Sequence, residues 1–132
     1  MSLPSPAGEV VVDVLPLYGQ IEIGDRDTVD VPQWVTGEES TVRNETMVCV
    51  ATQPDSEGEV RITVSRNVVN LYAVDWHEVF SGELSLPSGI LMVGNSIAAQ
   101  VEEIELSPAT LASIRVLVDP PSVPRNIAVV IS

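Results

Sequence analysis

A chain of 132 residues suits one domain that buries roughly two-thirds of its unfolded surface, and an apolar share of 45% supplies a core without staples. Nineteen acids against six bases, all of them arginine, leave a net charge of −13, a field that repels phosphate backbones and anionic membranes. Direct nucleic-acid binding and membrane-surface binding are therefore set aside, and the charge allows a basic protein partner or a cation, or serves only to keep the protein in solution.

Residues 1–8 hold two prolines and a glycine and read as a flexible tail, with Met1–Leu3 as a cloning remnant. This leaves residues 9–132 as a single expected domain. The start of the chain has no basic region and no long apolar core, so it is not read as an intact signal peptide. Valine-rich Glu9–Leu15 is a first expected strand, interrupted at Pro16. Leu17–Ile23 is a second: Leu17, Gly19, Ile21 and Ile23 share one face, and Tyr18, Gln20 and Glu22 share the other.

Residues 24–45 show no clear period and are expected to be a long loop, with Trp34 plugging it onto the body of the protein. Thr46–Thr52 and Glu59–Arg66 are strands around the turn residues 53–58, and their spacing predicts a hairpin. Val68–Val74, Glu78–Leu86 and Ile90–Val93 follow. Ala98–Leu106 is a further strand, with a bulge expected where Glu102 and Glu103 break the alternation. Ser107-Pro108 reads as the cap of one helical turn. Ile114–Val118 and Ile127–Ile131 are the last strands, separated by the proline-rich residues 119–124.

Eight to ten short strands with regular turn signals, and no sustained helical period, predict an all-β fold: a two-sheet antiparallel β-sandwich. Val60, Ile62, Val64, Val116 and Val118 are its expected core residues.

The residues that carry chemistry point away from catalysis. His77 is the sole histidine, and no Gly-x-Ser-x-Gly elbow, metal cluster or phosphate-cradling loop accompanies it. No enzyme activity, metal or cofactor is therefore expected. Cys49 sits in the apolar run Met47–Ala51, reads as a buried inert thiol, and slightly favours a reducing, cytoplasmic setting. Asp25, Asp27 and Asp30 cluster in one loop, but the spacing is not that of a calcium-binding EF-hand and Arg26 lies among them, so a solvated acidic loop is the plainer reading.

The negative charge is concentrated near the start. Residues 1–60 carry twelve acids and two arginines, and residues 61–132 carry seven acids and four arginines. The surface expected to meet a basic partner is Glu22, Asp25, Asp27, Asp30, Trp34, Glu38 and Glu39, an aromatic anchor with charges at its rim. A second reading stays open, that of a secreted carbohydrate- or cation-binding β-sandwich module, which Trp34 and Trp76 on one face would favour.

The order of these features resembles the bacterial DNA-entry nuclease inhibitor family, also called competence protein J. An aromatic-led strand comes first, Tyr18–Ile23, then a loop tryptophan, Trp34, then a strand pair, Val48–Ala51 and Val60–Val64. The stretch Glu83–Val93 follows as an amphipathic segment, a glycine turn and a short apolar strand. The likeness spans residues 10–119 in pattern rather than identity, and the proline-rich C-terminal segment has no counterpart in it. It implies a small acidic protein that binds and blocks a nuclease.

Overall fold

The computed structural model describes residues 9–66 and 76–132. The expected tail over residues 1–8 and the expected strand Val68–Val74 lie outside them. Among the described residues there are ten strands: β1 Val10–Val14, β2 Gln20–Asp25, β3 Thr41–Arg43, β4 Met47–Ala51, β5 Val60–Arg66, β6 His77–Ser85, β7 Ile90–Asn95, β8 Gln100–Glu105, β9 Leu111–Asp119 and β10 Asn126–Ile131. They form two five-stranded sheets, one in the order β1-β5-β10-β9-β6 and the other β3-β4-β2-β7-β8. The fold is therefore the expected sandwich.

Register explains why this sequence takes this fold. In the first sheet Val10 faces Val64, Val64 faces Val129, Val129 faces Val116, and Val116 faces Phe80, one apolar row across all five strands. Stiff β-branched side chains suit such a row because each packs on its cross-strand neighbour. In the second sheet the row is Val48, Ile23 and Val93, with Arg43 and Glu102 at its two ends. Charge pointing inward at a sheet edge discourages strand addition. The rows of the two sheets meet in one core, in which the five residues named from the sequence are all 0–2% exposed.

Two arginines reach across from one sheet to the other. The Arg43 guanidinium donates to the Glu83 carbonyl of β6 at 2.8 Å and lies 5.3 Å from the Phe80 ring centre. On the opposite side Arg66 of β5 donates to the Glu105 carbonyl of β8 at 3.0 Å.

β5 and β10 run parallel, so the expected sandwich is mostly antiparallel. Three sequence expectations are corrected. β4 and β5 do not form a hairpin: they lie in different sheets, and residues 52–59 arch between them. β8 pairs with β7 in unbroken register through Glu102 and Glu103, and a register shift falls instead between Glu78 and Phe80 of β6. Ser107 and Pro108 lie in a turn closed by Ala109 N–H donating to the Leu106 carbonyl at 3.0 Å, with no helix.

Candidate functional site

The outer face of the second sheet is not bare. Alternation on β4 and β7 turns Met47, Cys49 and Met92 away from the core, and these three form a separate buried cluster against which Trp34 and Val42 pack. The segment between β2 and β3 covers that cluster. Trp34 is half-buried there, and its indole Nε1–H donates to Gln20 Oε1 at 2.8 Å. One aromatic side chain thus satisfies both its apolar body and its polar tip, as a buried tryptophan requires.

The rest of the segment is pinned at several points. Thr28 Oγ1 and Thr46 Oγ1 are 2.7 Å apart, and Asn44 Nδ2 donates to the Asp30 carbonyl at 3.0 Å. The Glu39 carboxylate accepts from Val35 N–H at 2.8 Å, Thr36 Oγ1 at 2.8 Å and Gly37 N–H at 2.8 Å, with Thr36 N–H at 3.2 Å. Hydrogen bonds to the ionised form favour it. The Val35 N–H first, with other backbone amides and the Thr36 hydroxyl, pulls the Glu39 carboxyl down to about 2.

The seven residues expected to meet a partner separate into distinct environments. Glu22 is 3% exposed and Asp25 is 2% exposed. Glu22 Oε1 accepts from Ser96 Oγ at 2.6 Å and from Ser96 N–H at 3.2 Å. Asp25 Oδ1 accepts from Ser88 Oγ at 2.6 Å and from Ser88 N–H at 3.0 Å, and its Oδ2 accepts from Asp27 N–H at 3.1 Å. Both carboxylates thus fasten the turns at the ends of β7 to β2. Asp27 forms an exposed pair with Arg26, Nε to Oδ1 at 3.0 Å. Glu39 is spent on its own turn. Asp30 and Glu38 are exposed, and neither makes an ion pair among the described residues.

Sequence reasoning missed the apolar component of this surface. Val29 is 89% exposed, Val35 85% and Val31 48%, all on the segment that Trp34 anchors. An unpatterned loop gives a valine no expected side, so only the exposure of these residues identifies them.

The remaining chemistry-bearing groups are placed as follows. Cys49 is fully buried beneath Trp34, and burial, with the nearby Glu22 charge adding to it, pushes its thiol up to about 12. A thiol held protonated at neutral pH is not a nucleophile. His77 is exposed at the start of β6. Among the described residues no three of His, Cys, Asp and Glu converge on a metal-sized space. Trp76 packs on Leu117, Ala128 and Val130, on the outer face of the first sheet. The two tryptophans therefore lie on opposite sides of the sandwich and make no common platform for a sugar ring.

No family model and no curated protein matches the chain. Its fold is similar to that in the crystal structure of ComJ from Bacillus subtilis, an inhibitor of the DNA-degrading activity of NucA. The TM-score is 0.67 over 93% of this chain and 92% of that chain, at 10% identity. The resemblance read from the order of sequence features thus extends to the three-dimensional fold.

Proposed function

We propose that this protein is a non-enzymatic binding protein that occupies and blocks a basic protein partner of the nuclease kind, using the segment between β2 and β3. The observation that carries the reading is the exposure of Val29, Val31 and Val35 on a segment held down by Trp34 and Glu39, which also carries the exposed acids Asp30 and Glu38. Three exposed valines on one pinned segment give a partner apolar contact area that needs little ordering on binding. Interfaces place such apolar anchors centrally and charges at the rim, where they steer association rather than add affinity. The fold shared with an inhibitor of a DNA-degrading protein supports the nuclease class. A site that processes DNA is basic, which complements a chain of net charge −13.

The test is capture from the source organism's lysate at low and moderate salt, followed by a DNase assay of the eluate with and without added protein. Wild type is expected to retain a DNase that it inhibits. Val29→Ser with Val35→Ser is expected to lose that DNase. Asp30→Asn with Glu38→Gln is expected to retain less of it, most visibly at low salt. Retention of the same proteins by all three would overturn the reading.

A further inference from the structure

Three surface clefts lined by described residues differ in the charge they carry. One, beside Asp13 and Glu59, includes Arg61 and Arg125, and another includes Arg66. The third lies at the end of the sandwich, where the last residues of β4 meet the last of β9, and its lining contains Glu38 and Glu39 and no arginine. Its walls are the turn Gly37–Ser40 on one side and Pro121, Ser122 and Pro124 on the other, with Val79 and Val118 between them.

We infer that this cleft receives the cationic side chain of a lysine or arginine from the partner, with Glu38 as its counter-charge. The inference rests on the reading that the partner is a basic protein. The size fits one side chain: the cleft holds about 260 Å³, below the ~300–1,000 Å³ of sites for drug-sized ligands. The chemistry also fits. An arginine or lysine has an apolar stem and a charged tip. Half-buried Val79 and exposed Pro121 offer the stem a surface, and Ser40, Thr52 and Ser122 add hydroxyl oxygens around the tip.

Both walls are fixed before anything binds. Glu39 holds one turn through the bonds described above, and Glu38 N–H donates to Thr36 Oγ1 at 3.1 Å. On the other wall Gln53 N–H donates to the Pro124 carbonyl at 2.8 Å. A preformed cleft costs less to fill than one that must be ordered on binding. The cleft shares its turn with Val35, so a cation seated here and an apolar contact on the Trp34 segment belong to one continuous surface.

The experiment is an amide NMR titration of the full chain with N-acetyl-arginine amide, alongside the neutral isostere N-acetyl-citrulline amide. Saturable shifts are expected at Gly37, Glu38, Ser40, Thr52 and Ser122, with citrulline at least about tenfold weaker and the response lost in high salt. Glu38→Gln should abolish the localised shifts. Glu45→Gln, an exposed acid at the other end of β4, should leave them unchanged. Equal response to citrulline, shifts spread evenly over the acidic surface, or an unaltered response in Glu38→Gln would each overturn the inference. The titration needs no partner, so its failure is separate from failure of the capture experiment. A chain that binds arginine amide here but retains no nuclease keeps the cleft and loses the nuclease reading.

Discussion

Two short acidic stretches sit next to each other in the chain and are used in opposite ways. In β2, Glu22 and Asp25 are buried and each closes on a serine hydroxyl and amide of another turn. In the segment that follows, Asp30 and Glu38 face water and make no ion pair among the described residues. Composition counts all four alike, as one negative charge each. Structure makes the first pair part of the fold and leaves the second pair to act at a distance. The charge available to a partner is therefore smaller than the sequence suggests, and it lies on the segment rather than along the strand.

Removing an inward acid tests this contrast most severely. Asp25→Ala leaves the Ser88 amide and hydroxyl and the Asp27 amide without their acceptor. Bonds to a charged group contribute about 1.5–3 kcal/mol each, and unsatisfied buried donors add about 1–3 kcal/mol, with strong non-additivity. We expect a loss of about 3 kcal/mol in chemical denaturation. Asp30→Asn should change stability by less than about 0.5 kcal/mol, as surface substitutions usually do. Equal destabilisation by the two would remove the contrast.

Trp34 tests how firmly the outward segment is joined to the sheet. Trp34→Phe keeps most of the packing on Met47, Cys49 and Met92 but gives up the bond to Gln20, for an expected cost of about 1 kcal/mol. Trp34→Ala also uncovers the cluster and should cost about 2 kcal/mol, less than a fully buried aromatic because the side chain is half-exposed. In that variant the Cys49 thiol, now uncovered, should react with a thiol reagent faster than in wild type. An unchanged labelling rate would show that Trp34 does not seal the face.

How much of this could be read from the sequence follows from the range of each signal. Alternation and runs of β-branched residues are local signals, and they located β2, β4, β5, β9 and β10 to within a few residues. β3 was hidden inside the presumed loop because Thr41–Arg43 is too short to show a period. The arch from β4 to β5 looked like a hairpin because a turn that crosses between sheets uses the same Gly, Pro and Asp residues as one that stays within a sheet. In β8 the pairing of Glu102 and Glu103 looked like a broken alternation. The pleat is regular, with Glu102 half-buried, Val101 and Glu103 exposed, and residue type set by the edge position rather than by burial. At the candidate site, Trp34 was legible as the plug of the loop because a large aromatic in a polar stretch has few other uses. The burial of Glu22 and Asp25 was not, because their partners Ser96 and Ser88 are more than sixty residues away.

Glu39 offers the finest test, because it is outward in position yet structural in role. Its carboxyl is held at about 2, below its ordinary 4.5, by the Val35 amide and the groups around it. A folded-state value below the unfolded one means the carboxylate supports the turn fully above about pH 4.5, and this support fades as pH falls towards 2. The turn Val35–Glu39 should therefore keep its shape, and Val35 its exposure, throughout the neutral and mildly acidic range. Amide chemical shifts of Val35, Thr36 and Gly37 should stay constant from pH 8 to about pH 5. They should then titrate together with a midpoint near 2, provided the fold survives to that pH. Glu39→Gln should show none of this titration. It keeps one acceptor and turns an amide donor towards donors, so it should loosen the turn at every pH, read as faster hydrogen exchange confined to residues 35–37. Titration of those amides near 4.5 in wild type would mean that the carboxylate is solvated, and that the turn carrying Val35 is not preformed.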